Sequence, residues 1–245
     1  MPDHPSLPSK PINENWRPEL TRLPELIPAR LRARRGWRWA ARLVLRLLTR
    51  TEITGMENFP AQGPALIVVN HLGDADVVVG VAYFPIMPEV LGKAELYDVP
   101  ILGKCMDAYG VIWVHRGQPD RRALRAALQA LAENRMVGLA PEGRQSVTGE
   151  LEEGTEGAAY LAYKAGAARQ HPIPIVPVAF TGTENEKVYR SLRRLRRARI
   201  TMTVGPVLYL DEVTNFHEAL SQGTAKIMHA LARLLPPEYQ GVYAP

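Results

Sequence analysis

Beyond residue 51, short apolar runs recur along the chain, separated by stretches in which apolar positions return every three or four residues. The runs "ALIVVN", "GVIWVHR", "MVGLAP", "IPIVPVAF" and "ITMTVGPVLYL" predict strands. Several are nearly unbroken in apolar character, as central strands covered on both faces are. Helical patterns lie between them. Asp120 is placed to cap a helix carrying Leu124, Ala127, Leu128 and Leu131 on one face. A second helix is expected from Thr155 to Gly166. Asn215, with Glu218 three residues on, has the form of a capping pair that opens a last helix ending before Pro236 and Pro237. Strands alternating with helices predict an α/β fold with a central, mostly apolar sheet flanked by helices.

The first fifty residues follow another pattern. Residues 1–15 are polar and rich in proline, without the basic patch and apolar stretch of a secretory signal, and are expected to form a flexible tail. Residues 16–50 are read as a basic amphipathic helical segment, with 51–245 forming the α/β domain. From Ala29 to Arg50 there are eight arginines and no acid, mixed with Trp37, Trp39, Leu43 and Leu47. Pro28 suits the first turn of a helix running to about Arg50, on which Arg35, Arg38, Arg42 and Arg46 form one cationic stripe. This predicts that residues 28–50 face an anionic membrane surface; the competing reading is a helix packed on the main domain with solvated arginines. The uncharged run "VVVGVAYFPIMP" is too short to span a bilayer, which needs about 20 residues. A peripheral protein at the cytoplasmic face of the membrane is therefore expected.

Composition narrows the partners. With 46% hydrophobic and 22% charged residues the chain is expected to fold, and its formal charge of +5 admits phosphorylated substrates, anionic lipid or nucleic acid. The six arginines from Arg190 to Arg199 have only Tyr189 beside them, and this lack of interleaved aromatics argues against nucleic acid. Cys105 is the sole cysteine, so neither an internal disulfide nor a cysteine metal cluster is expected.

Candidate chemistry begins at "VVNHLGDAD", where an apolar strand stops at Asn70 and His71 and Asp76 follows five positions later. On one continuous helix that spacing would separate the two side chains by about 140°, so a turn must intervene, and Gly73 eases it. A carboxylate so placed fixes the imidazole tautomer and stabilises its protonated form, leaving the other nitrogen as a general base. A surface or capping arrangement fits the same spacing.

Four stretches in order, "NHLGDAD", "KAELYDVPILGKCMDAYGVIWVHRG", "LAPEGRQS" and "IPIVPVAF", resemble the glycerolipid acyltransferase family, which includes lysophosphatidic acid acyltransferases. The resemblance covers roughly residues 51 to 205 and carries the family's His, four residues, Asp signature. It implies transfer of a fatty acyl group from acyl-CoA or acyl carrier protein to a hydroxyl of a lysophospholipid or related lipid, without a metal or bound cofactor. It makes His71 the base and Asp76 its orienting partner. Lys93, Arg116, Glu142, Gly143 and Arg144 fall on the family's substrate-binding blocks. Glu142 then orders the acceptor or the loop beneath it, or else caps backbone amides. Arg116 suits a phosphate, whereas Lys93 also reads as solvated charge. The sequence departs from the family where Glu-Gly-Thr-Arg-Ser is usual: here stand Glu142, Gly143, Arg144, Gln145 and Ser146, followed by the acids Glu152 and Glu153. Two acids there disfavour an acceptor phosphate at that place. The remaining alternatives are metal-assisted hydrolysis through His71, Asp74, Asp76 and His115, and a non-catalytic protein that binds anionic membranes.

Overall fold

The computed structural model of the chain describes residues 17–115, 120–211 and 215–244. After a short segment, α1 (Pro28–Leu48) runs directly into β1 (Thr49–Thr54), and β2 (Ala65–Val69), α2 (Asp74–Tyr83) and β3 (Glu89–Lys93) follow. Then come α3 (Leu102–Tyr109), β4 (Ile112–Val114), α4 (Arg121–Ala132), β5 (Met136–Leu139) and α5 (Gly157–Arg169). The chain closes with β6 (Ile175–Thr181), α6 (Asn185–Arg193), β7 (Ala198–Val204) and α7 (Phe216–Ala232).

The strands form one seven-stranded sheet in the order β1-β7-β6-β2-β5-β3-β4. β6, β2, β5, β3 and β4 run parallel, whereas β7 is antiparallel to β6 and carries β1 beside it in its own direction. The α/β expectation is borne out. β2 shows why: Leu66 and Val68 enter one core with Leu161, Ile175 and Ile227, while Ala65 and Ile67 enter another with Val79, Val178 and Met202. Both faces are covered by helices, so alternate side chains are all buried and the strand reads as an unbroken apolar run.

The caps at Asp120 and Asn215 are those expected. Asp120 accepts from the N–H groups of Arg122 and Ala123, and Asn215 from that of His217. The helix expected to start at Thr155 begins at Gly157 and runs on to Arg169. The last apolar run splits: β7 ends at Val204, and Leu208 returns only as an isolated bridge to Ile175.

The N-terminal helix forms as expected but ends at Leu48, and its arginines differ from the expectation. Arg34 is buried and grips Glu89 through two hydrogen bonds, at 3.0 and 2.6 Å, while its Nε donates to the Tyr109 carbonyl at 2.8 Å. Arg38 donates to the carbonyls of Val81, Phe84 and Ile86, and Arg42 to that of Ala82. Those carbonyls lie at the C-terminal end of α2, where a helix lacks intrahelical donors and its dipole favours cations. Two arginines of the stripe expected to face a membrane, Arg38 and Arg42, thus also hold α1 against α2, although Arg42 remains exposed. The outward face of α1 is mixed: Trp39 is 69% and Leu47 65% exposed, with Leu43 between them, and Arg32, Arg35, Arg42 and Arg46 are exposed among them.

Candidate active site

The site is built at the edge of the sheet where β2 ends. Asn70, buried one residue beyond the strand, donates through Nδ2 to the Phe180 carbonyl at 2.9 Å and accepts the Phe180 N–H at 2.7 Å. That two-way bond to β6 fixes the strand end from which His71 projects. His71 itself precedes α2, which is the turn that the spacing demanded. Its Nδ1 lies 2.9 Å from Asp76 Oδ2, and the same oxygen accepts the N–H groups of Leu72 at 2.7 Å and Gly73 at 3.0 Å. Asp76 therefore orients the imidazole and caps α2 at once. Gly73 is extended rather than left-handed, so its freedom is not what matters; a Cβ there would meet the Thr183 carbonyl oxygen at 2.2 Å.

Glu142 supplies the second support. Its Oε1 accepts the His71 N–H at 3.0 Å and its Oε2 the Glu152 N–H at 2.9 Å. The carboxyl is fully buried, and that burial pushes its pKa up to about 7, helped by the charges of Glu152 and Asp76, although the two amide bonds pull it down. Of the readings expected for Glu142, ordering the acceptor or the loop beneath it or capping backbone amides, its contacts are those of a carboxylate bound to main-chain amides on either side. Gly143 adopts a left-handed conformation, φ 73°, which a glycine tolerates without strain.

His71, Lys93, Gly143 and Arg144 come together in the wall of one cleft of about 1230 Å³. Its floor is apolar, formed by Leu91, Leu124, Leu128, Leu139 and Leu161, and Arg121 and Arg125 stand along α4 at its side. These two arginines were not singled out in the sequence, although their four-residue spacing beside Leu124 and Leu128 places all four on neighbouring faces of one helix. Arg116 lies outside the described residues. Arg144 reaches the cleft, but its Nε donates to Glu152 Oε2 at 2.6 Å, and Glu152 is buried. The acid that departs from the family's pattern thus neutralises the arginine that appears beside it. Gln145 donates to Asp74 Oδ1 at 2.8 Å, and the Asp74 N–H donates to Asn185, so Asp74 holds the rim together.

A second pair repeats the first. His115 Nδ1 lies 3.0 Å from Asp120 Oδ2, again five residues on at a strand end. The difference is at the other nitrogen. His115 Nε2 accepts the Arg17 N–H at 2.9 Å, so both ring nitrogens are engaged in a ring that is fully buried. His71 is 18% exposed and no described residue bonds its Nε2, which is left to the cleft. Of the two histidines only His71 presents a ring nitrogen to the cleft that no described residue bonds. Among the described residues no three His, Cys, Asp or Glu side chains are grouped to hold a metal ion, so the set of the alternative hydrolase reading, His71, Asp74, Asp76 and His115, is not assembled. The glycine N–H groups in the two turns at the site already have partners: that of Gly73 donates to Asp76, and that of Gly143 to the Ala140 carbonyl at 3.1 Å.

A mostly parallel sheet with a histidine–aspartate pair at a strand end and an apolar cleft beside it defines an α/β protein with a candidate active site at the strand ends. Residues 50–181 match the model of the family described as Acyltransferase, and the chain belongs to that family. The glycerolipid acyltransferase resemblance is borne out. A 1-acyl-sn-glycerol-3-phosphate acyltransferase of Borreliella burgdorferi is 29% identical over 136 residues, covering 54% of this chain and 52% of that protein. One from Bacillus subtilis is 25% identical over 205 residues, 80% of this chain and 96% of that protein. One from Saccharomyces cerevisiae is 32% identical over 138 residues, 54% and 43% respectively. The chain thus spans about half the length of the first and third relatives. The crystal structure of the 1-acyl-sn-glycerophosphate (LPA) acyltransferase PlsC from Thermotoga maritima shares the fold, with a TM-score of 0.60 at 19% identity, covering 85% of this chain and 84% of that one.

Proposed function

We propose that the chain moves a fatty acyl group from acyl-CoA or acyl carrier protein to a hydroxyl of a lysophospholipid or related lipid, working peripherally at the cytoplasmic face of a membrane. The observation that carries this reading is His71, held by Asp76 through Nδ1 and open through Nε2 to an apolar cleft with a cationic side. His71 Nε2 takes the proton of the acceptor hydroxyl. The oxygen attacks the thioester carbonyl carbon, the carbon–sulfur bond breaks, and the departing thiolate takes the proton back from His71. Asp76 stabilises the imidazolium between these steps. A positioned base contributes about 10²- to 10⁴-fold, so binding and charge stabilisation supply the remainder. The leucine floor suits the acyl chain, and Lys93, Arg121 and Arg125 suit the phosphates of the donor or the acceptor. Because Glu152 holds Arg144, an acceptor phosphate is bound by those other cations rather than by Arg144.

The test measures free CoA released from a long-chain acyl-CoA, with and without acceptors that differ in headgroup. Release is expected only with an acceptor present. His71→Ala abolishes it at an unchanged melting temperature, and Asp76→Asn lowers kcat by about 10²-fold or more. Full activity in His71→Ala overturns the mechanism.

A further inference from the structure

The arginine run in the sequence does not belong to the cleft. It forms the end of α6 and the turn into β7, and from Tyr189 to Arg199 it holds six arginines and no acid. Nearby acids compensate little of this charge: Glu186 pairs with Arg190 and Glu184 with Lys187. At the tip of the turn stands Leu195, 98% exposed and in the left-handed conformation at φ 53°. A leucine gains nothing from water and is strained in that conformation, so this turn carries two costs that no contact within the chain offsets. Behind it, Gly182, Lys187, Arg190, Ser191, Arg196 and Arg197 line a shallow cleft of about 350 Å³.

The position of the turn matters as much as its charge. β7 starts where β6 ends, at the sheet edge that also carries His71, and α6 leaves that edge beside Asp74 through Asn185. Arg197 donates to the Arg46 carbonyl at 2.8 Å, which ties the turn to the last coil of α1, close to exposed Leu43 and Leu47. The arginine turn and the exposed leucines at the end of α1 are therefore neighbours at the sheet edge that carries His71.

We propose that the turn between α6 and β7 is a second lipid-contact surface, with Leu195 entering the bilayer and the arginine cleft holding the phosphate of an anionic phospholipid. The occupant is argued from charge: a headgroup phosphate beneath an apolar layer complements a leucine ringed by arginines. The inference rests on the reading of the chain as a lipid enzyme at a membrane surface, but its test does not use turnover to read binding.

The full-length chain is sedimented with phosphatidylcholine vesicles, with and without phosphatidylglycerol. Each cation near an anionic surface contributes about fivefold in affinity, so Arg193→Gln, Arg194→Gln and Arg196→Gln together are expected to weaken binding to the anionic vesicles about a hundredfold, with little change on neutral ones. Leu195→Asp weakens binding to both. These side chains are exposed, so each variant keeps the parent's melting temperature and its acyl transfer to acceptors dispersed in neutral micelles. Parental affinity of the triple variant for anionic vesicles overturns the proposal. Retained vesicle binding with a raised KM for acyl-CoA also overturns it, assigning the arginines to coenzyme phosphates instead. If the parent transfers no acyl group to any acceptor, the proposed function fails, while the vesicle measurements still decide the role of the turn.

Discussion

Glu142 shows how one side chain couples the site to stability. Its carboxyl holds a proton up to about pH 7 in the folded chain and loses it near 4.5 when unfolded. Between those values the folded state binds more protons, so its stability falls as pH rises through that window, by up to about 3 kcal/mol, and the dependence vanishes below both values. Urea unfolding from pH 5 to 8 is expected to show this slope in the parent and a flatter one in Glu142→Gln, whose side chain does not titrate. Equal slopes would remove Glu142 as the cause. At this scale the sequence was most informative where a side chain works with a near neighbour: His71 and Asp76 are five residues apart and meet as expected. For Glu142 the sequence offered amide capping as one reading but not which amides, because they belong to residues 71 and 152 and only the fold brings them to its two oxygens.

Among the elements, β3 illustrates what periodicity misses. Its sequence "EVLGK" begins and ends with charge and carries a glycine, so it does not read as a strand. Glu89 is nonetheless buried because Arg34, 55 residues earlier, meets it with both terminal nitrogens. β1, "TRTEIT", escapes for the opposite reason: it is an edge strand with alternating exposure and little apolar content to signal it. The buried ion pair holds α1 at the far end of the sheet from His71, and Arg34 also lies over the Tyr109 ring at 4.6 Å. Burial pushes the Tyr109 hydroxyl up to about 12, so it remains protonated and donates to the Pro88 carbonyl. Removing one partner leaves an uncompensated buried charge. Glu89→Gln is therefore expected to cost about 3 to 5 kcal/mol, roughly 10 °C in Tm for a chain of this size. Arg34→Met combined with Glu89→Met is expected to lose less than either single change, and thermal melts of the three variants check the order.

Over the whole molecule, no described helix is long and apolar enough to cross a membrane. Under the proposed function, the exposed apolar side chains of α1 would supply a different mode of contact, one that lies along the interface. Its arginines were legible as a stripe, yet Arg38 and Arg42 also bond to the carbonyls ending α2, a demand for donors that only the packed pair of helices creates. Exposed Trp39, Leu43 and Leu47 stand among exposed Arg32, Arg35, Arg42 and Arg46, so α1 would offer a bilayer apolar surface as well as charge. Burying a large apolar side chain contributes about 1.5 to 3 kcal/mol, so Trp39→Ser, Leu43→Ser and Leu47→Ser together are expected to weaken binding to neutral and anionic vesicles alike by about a hundredfold or more. Sedimentation checks this, and a loss confined to anionic vesicles would contradict it.

The direct passage from Leu48 to Thr49 has one more consequence. The Thr49 N–H and hydroxyl both bond to the Leu45 carbonyl, so helix and strand meet at a stiff corner rather than a hinge. If α1 lies flat, the corner fixes the pitch of the sheet above it, as a keel fixes the attitude of a hull. The height of His71 over the headgroups is then a constant of the architecture, and the depth at which an acceptor must present its hydroxyl is set before any substrate arrives.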